Sequence, residues 1–393
     1  MSSEERLASA EWLVRPETQA IFAALDGDKG RTRAVGGVVR DTLLGRERDN
    51  PDIDLATELT PDEVIARAEA NSIAYYPTGI DHGTVTLKLG ETLAEVTTLR
   101  RDVETNGRHA VVAFGTDWAE DAARRDFTLN ALYCEADGTL FDPLGGINDA
   151  LNSRVRFIGD AATRIAEDGL RVYRFFRFSA SHGGEKFDPD GLAACAAAVG
   201  QLGHLSAERV GSEILRMLAL PDIALTLGAM AAIGLVEIDH DQLKTLRAYE
   251  TLGGFTPATR LAVLIGTRPA DAVQQQWRLS NEVMRAAQTV AAAADMVEQD
   301  RLDEAAYRFG EVAVEGLALA AAQGNWRPDR LAEAARSLAA VQLVPFPISG
   351  NDLAGLGIKP GPALGQELAR LERIWIDSGF ALDREALLAQ ASV

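Results

Sequence analysis

Two aspartates one residue apart, Asp52 and Asp54, follow a glycine pair and an arginine, Gly36, Gly37 and Arg40, within the segment AVGGVVRDTLLGRERDNPDIDLAT, residues 34–57. Neither glycine carries a Cβ, so a turn there can bring bare N–H groups up to a polyanion. On a strand, Asp-Ile-Asp alternates out, in, out, and both carboxylates leave one face, where they can share divalent cations. A phosphate cradle followed by a carboxylate pair is what phosphoryl or nucleotidyl transfer requires. The apolar flanks Ile53 and Leu55 favour a strand inside a site over a solvated turn. Glu95, in LAEVT, is the candidate third carboxylate by alternation and by its place on a neighbouring strand; an exposed strand glutamate is the competing reading.

Two arginine-rich stretches lie downstream. In RRDFTLNA, residues 124–131, nothing apolar anchors the start, and the types suit a ligand: guanidinium for phosphate, and Asp126 with Arg125 for ribose hydroxyls. A charged helix end pairing with Glu120 and Asp121 would look the same. In EDGLRVYRFFRF, residues 167–178, Asp168, Arg171, Arg174 and Arg177 share one helical stripe while Leu170, Val172, Phe175, Phe176 and Phe178 pack elsewhere. Asp168 offers acceptors and Arg171 donors, enough to read the Watson–Crick edge of a base; a structural salt-bridge stripe is the alternative. His240-Asp241 would suit a metal-dependent phosphohydrolase, but no upstream histidine stands at metal-ligand spacing. Phe141 to Asp149 reads as a turn-rich structural link.

The elements that must position these residues are of two kinds. Residues 31–35, 52–56, 84–88 and 93–98 alternate with the two-residue period of strands. Thr60-Pro61-Asp62-Glu63 is a capping box with proline at the first helical position. From about Ala161, strand signals fade and alanine- and leucine-rich helical periodicity takes over. The pattern predicts an α+β chain: a small mixed-sheet head over residues 1–150, a helical neck over 151–270, and a helical body and tail over 271–393. At 47% hydrophobic, the chain has core enough for that many parts.

Composition narrows the class. A net charge of −19 argues against a general nucleic-acid coat protein. Residues 96–180, however, hold eleven basic against thirteen acidic side chains, with arginine dominating, so an RNA-lined cleft stays open. Cys134 and Cys195, apolar-flanked and in no CxxC, read as reduced core cysteines. The start of the chain is acidic and polar, unlike a signal peptide, and the apolar run 223–236 is too short for a bilayer. The expectation is a cytoplasmic protein with no membrane and no obligate protein partner.

Taken in order, GGVVRD with DID, EVTTLR (95–100), RRDFTLNA and EDGLR with its trailing arginines resemble the tRNA nucleotidyltransferases (CCA-adding enzymes) and the related bacterial poly(A) polymerases, within the polymerase-β-like nucleotidyltransferase superfamily. Gly350-Asn351-Asp352-Leu353 and residues 360–365 are similar to that family's tail segment, which would bind RNA. The resemblance implies a template-independent enzyme with tRNA as acceptor and CTP and ATP as substrates. It implies Asp52 and Asp54 as ligands of catalytic Mg²⁺, and Gly36, Gly37 and Arg40 at the triphosphate. Arg125 and Asp126 would contact the ribose; Asp168 and Arg171, with Arg174 beside them, would form a protein template for the base. A flexible loop is expected at about Arg101 to Val112, where Asn106-Gly107-Arg108-His109-Ala110 departs at two positions from the family's frequent AspGlyArgArgPro. Poly(A) addition is the near alternative. A non-catalytic RNA-binding relative would have no need to keep Asp52, Asp54 and Glu95, and an antibiotic-modifying nucleotidyltransferase would need no tRNA-sized helical body.

Overall fold

The computed structural model describes residues 3–47, 49–106, 109–342 and 344–392, with backbone alone over residues 3–4 and 101–113. The chain divides into two compact units, Met1–Glu237 and Ile238–Val393. The fold class is the expected one, a mixed-sheet α+β head region followed by helices: beyond residue 160 every described regular element is a helix.

In the first unit the strands are β1 (Thr32–Val35), β2 (Ile53–Thr57), β3 (Ala74–Gly79), β4 (Thr84–Leu89), β5 (Thr92–Thr98), β6 (Arg100–Asn106), β7 (His109–Phe114), β8 (Tyr133–Cys134) and β9 (Leu140–Phe141). Seven form one sheet in the order β3-β4-β5-β2-β1-β8-β9, while β6 and β7 form a separate antiparallel ribbon. β2 and β5 run parallel, and the other pairs are antiparallel. Alternation makes the sheet two-faced. Ile53, Leu55, Val85, Leu87, Ala94 and Val96 are buried in one core with Val38, Val39 and Leu43, and Asp54 and Glu95 leave the opposite face. The capping box at Thr60 and Glu63 opens the Pro61–Ala70 helix as expected.

Four of the strands fall where alternation places them. β3 does not alternate, being mostly exposed with Pro77 in it, and it survives as an edge strand because only one side needs a ladder partner. The ribbon β6–β7 occupies most of the stretch expected as a flexible loop, with paired backbone from Arg100↔Phe114 to Asn106↔His109; Gly107 and Arg108 of that expectation lie outside the described residues.

The second unit is helical. Its longest helix, Asn281–Glu298, packs against Val312–Gln323 at a contact that requires Gly316, where a Cβ would stand 2.5 Å from the Ala293 Cβ. A terminal cluster of Leu353, Leu371, Trp375, Ile376 and Leu387 closes its far end. Among the described residues no helix is long and apolar enough to cross a membrane. Cys134 and Cys195 are buried and free.

Candidate active site

The antiparallel register Thr32↔Thr57, Arg33↔Ala56, Ala34↔Leu55 makes the chain leave β1 at the level where Asp54 stands on β2. Gly36 then takes φ +75°, a left-handed value that disfavours other residues, and the helix Gly37–Leu43 starts at once. The glycine turn is thereby set beside the aspartates. On the other side of β2, parallel pairing puts Asp54 opposite Glu95. Asp52 lies two residues before Asp54, just outside the strand. All three carboxylates are exposed, and among the described residues none accepts a hydrogen bond or joins an ion pair.

This crowding has an electrostatic signature. The Asp54 carboxyl is pushed up to about 6, first by partial loss of solvent, then by the Glu95 charge, with Arg125 acting the other way and Asp52 adding to the rise. Exposure and desolvation coexist because the carboxylate sits at the wall of a concavity. A cavity of about 290 Å³ is lined by Gly37, Arg40, Asp52, Asp54, Arg177 and Arg216, among others. A larger cavity of about 610 Å³ touches none of these; its Arg154 and Arg156 are paired with Asp188 and Asp149.

Arg40 is 5% exposed. Its Nη1 donates to Asn130 Oδ1 at 2.5 Å and its Nε to Asp41 Oδ1 at 2.8 Å, with the guanidinium 5.3 Å from the Phe178 ring. Asp41 in turn meets His182 Nε2 at 3.1 Å, so the helix carrying Arg40 is tied to the end of the arginine helix, Leu170–Ser181.

Both arginines of the 124–125 pair bind Asp121, as the charged-helix-end reading has it. Arg124 reaches Oδ1, while Arg125 reaches Oδ2 at 3.1 Å and the Tyr133 hydroxyl at 3.1 Å. Burial alone would raise the Asp121 carboxyl, but Arg125, Arg124 and the Tyr133 hydroxyl hold it below the usual range. Asp126 is buried and receives the Phe127 N–H, the Asn130 amide and Arg174 Nε at 2.7 Å. Its desolvation is outweighed by Arg174 and these hydrogen bonds, and its pKa is lowered.

Of the predicted stripe, Arg171, Arg174 and Arg177 lie half-buried along one side of the arginine helix, but Asp168 is not on that helix: its backbone is extended at the end of the Ala161–Glu167 helix, two residues before Leu170. Each is held by protein. Asp168 accepts from Arg209 Nη2 at 2.7 Å; Arg171 donates to Glu167 at 2.5 Å and to the Arg124 carbonyl at 3.0 Å. Arg174 spans Asp126 and, at 3.8 Å, Glu213; Arg177 Nε donates to Glu213 at 2.6 Å. The companion helix Ala207–Leu218 thus presents Arg209, Glu213 and Arg216 to the stripe. Sequence reading passed over Glu213, which is 3% exposed. Its one signal is a carboxylate at i+4 from Arg209 on the buried side of a strongly amphipathic helix.

The geometry thus gathers Gly36, Gly37, Arg40, Asp52, Asp54 and Glu95 at one end of the sheet. It links Arg125 to Asp54 electrostatically and Asp126 to Arg174 directly. Arg171 joins the Asp126 segment through the Arg124 carbonyl, while Asp168 is held by Arg209 instead.

A family model described as poly A polymerase head domain matches residues 32–156, and one described as tRNA nucleotidyltransferase domain 2 (putative) matches residues 259–391. The chain is 32% identical over 382 residues to the mitochondrial CCA tRNA nucleotidyltransferase 1 of Danio rerio, covering 92% of this chain and 86% of that protein. The chain belongs to the CCA tRNA nucleotidyltransferase, or CCA-adding enzyme, family. The CCA-adding enzyme of Levilactobacillus brevis is likewise 32% identical, over 90% of this chain and 92% of that protein. The Bacillus stearothermophilus CCA-adding enzyme solved with CTP superposes with a TM-score of 0.79 at 27% identity, covering 96% of this chain and 97% of that one. The Thermotoga maritima CCA-adding enzyme solved with tRNA shares the fold, with a TM-score of 0.68 at 18% identity over 99% of this chain and 98% of that one.

CCA-adding enzymes, as nucleotidyltransferases, generally use divalent metal ions. Among the described residues no three His, Cys, Asp or Glu side chains converge closely enough to hold an ion as they stand. The donor set fits one nonetheless: hard oxygen ligands on one face, exposed, unpartnered among the described residues, and with one carboxyl pushed up by partial loss of solvent and its neighbours' charge.

Proposed function

We propose that this protein adds CMP and AMP, without a nucleic-acid template, to the 3′ end of tRNA, building or repairing the terminal CCA and releasing pyrophosphate. The observation that carries the reading is the unpartnered carboxylate row, Asp54 in register with Glu95 and Asp52 alongside, at the cavity that Arg40 lines. Membership of the CCA-adding family supports CTP and ATP as substrates and tRNA as acceptor. Cytoplasmic residence belongs to the same proposal, in keeping with the acidic, highly charged composition; the relatives named mitochondrial make that organelle its alternative.

In this reading the 3′-oxygen of the tRNA forms a bond to the α-phosphorus as the bond to pyrophosphate breaks, and the hydroxyl proton is released. Asp52 and Asp54, with Glu95, would hold Mg²⁺, which when bound supplies the charge that acidifies the hydroxyl and offsets the leaving oxygens in a two-metal arrangement. The Gly36 N–H is spent on the Leu132 carbonyl, so the turn offers the triphosphate the N–H groups that open the Gly37–Leu43 helix, and buried Arg40 acts from beneath as a fixed cation. Arg125 and Asp126 orient the ribose. Asp168 and Arg171 select the base, and Arg174, bound to Asp126, couples base choice to ribose position.

The test is an incorporation assay with the purified full chain, Mg²⁺, tRNA lacking its CCA end and each labelled nucleotide. Addition that stops after C, C and A is the expected result. A long A tract identifies a poly(A) polymerase instead, and no incorporation leaves an RNA-binding relative.

A further inference from the structure

The carboxylate row does not end at Glu95. Sheet register continues it, Asp54↔Glu95 on β2 and β5, Glu95↔Thr86 on β4, and Thr86↔Tyr76 on β3. Paired residues share a face, so Tyr76 stands on the carboxylate side, about three strand spacings or ~14 Å from Asp54. Its neighbour Tyr75 points to the core, where its ring packs partly buried. The next row along repeats the arrangement with Lys88 opposite Leu93, two residues back from Glu95. On the face that a soluble sheet would ordinarily keep polar, Tyr76 is 48% and Leu93 52% exposed, and Lys88 is exposed between them.

The direction of the reaction says what this half of the sheet meets. Entering and leaving oxygens lie roughly in line across the phosphorus. The glycine turn and Arg40, assigned above to the departing pyrophosphate, follow β1 on one side of β2. The attacking hydroxyl must then approach from the other side, over β5, β4 and β3. Single-stranded RNA ends are held by stacking bases on aromatic rings and by cations on the backbone. An exposed tyrosine, an exposed leucine and a lysine, in rows continuous with the carboxylates, supply those contacts.

We propose that the open face of β3, β4 and β5 is the seat of the acceptor RNA's last nucleotides, with a base stacked on the Tyr76 ring, Leu93 beneath the chain and Lys88 on a phosphate. This rests on the nucleotidyl-transfer reading and adds to it where the acceptor strand lies.

The experiment is steady-state CMP incorporation by the full chain, varying tRNA and CTP separately. Tyr76→Ala should raise the KM for tRNA about ten-fold, the worth of one stacked base, and leave the KM for CTP unchanged. Tyr76→Phe keeps the ring and should restore wild-type behaviour. Lys88→Gln should weaken tRNA use by a smaller factor and flatten its salt dependence. A Tyr76→Ala enzyme with an unchanged KM for tRNA, beside an active wild type, overturns the inference and leaves the reading intact; an inactive wild type removes the reading itself. A tRNA whose photoreactive base lies among the nucleotides just before the 3′-terminal one gives an answer on unmutated protein. Crosslinks to the peptide containing residues 74–79 support the seat, and crosslinks confined to other peptides overturn it.

Discussion

The carboxylate row of β2 and β5 and the charge ladder that joins the Leu170–Ser181 and Ala207–Leu218 helices are both built of ionisable groups, yet they are arranged oppositely. In the row, Asp52, Asp54 and Glu95 are exposed and unpartnered among the described residues, and partial loss of solvent, with the Glu95 and Asp52 charges adding to it, lifts Asp54 to about 6. In the ladder every charge has a mate: Asp168 with Arg209, Arg171 with Glu167, and Arg174 and Arg177 with Glu213. Unrelieved like charge is tolerated where a ligand will relieve it. Satisfied charge, by contrast, fixes side chains in place. The row is built for chemistry and the ladder for position, so perturbing them should fail in different currencies: rate in the first, stability and selectivity in the second.

The largest contrast is in rate. Asp52→Ala should lower CMP incorporation by about a thousand-fold or more, roughly 4 kcal/mol of barrier, with the melting temperature unharmed. In the ladder, Glu213→Ala leaves Arg177 without its buried carboxylate and Arg174 with Asp126 alone. It should destabilise the protein by about 3 kcal/mol in denaturant unfolding. A Glu213→Ala protein as stable as wild type would break the distinction. Asp168→Ala and Arg171→Ala are expected to relax the preference between CTP and ATP by about ten-fold, the worth of a bidentate contact, with transfer retained. Unchanged discrimination would make the stripe purely structural.

The head's strands and the arginine face of the Leu170–Ser181 helix were legible because they depend on local pattern: alternation in 52–56 and 93–98, helical spacing in 171–177; Asp168, expected on that helix, lies in the extended break before it. What escaped depends on contacts distant in sequence. Glu213 meets Arg177 across 36 residues, and Arg40 meets Asn130 across 90. No periodicity announces such pairs. Arg40 reads as a cleft cation in sequence and does line the cavity, but folding buries it and fixes it through Asn130 and Asp41. β3 escaped because an edge strand with Pro77 need not alternate, and no pattern marks its Tyr76. The ribbon β6–β7 escaped because polar residues at β-paired positions resemble a loop.

The smallest expected effect is also the most specific to the row. Asp54 has a folded-state pKa of about 6 against an ordinary 3.8. The folded protein therefore binds the extra proton between those values, and stability from this group falls as pH rises through them. Asp54→Asn removes the charge that partial loss of solvent and the neighbouring carboxylates disfavour. The metal-free variant should be more stable than wild type at pH 7.5, by about 1 kcal/mol once its exposure is allowed for, and the gain should vanish below about pH 4.

The same variant tests the central claim most directly, because it separates folding from chemistry at one residue. Asp54→Asn, assayed for CMP incorporation into tRNA lacking its CCA end under single-turnover conditions, should be fully folded and essentially inert. Incorporation within about ten-fold of wild type by that folded protein would contradict the account.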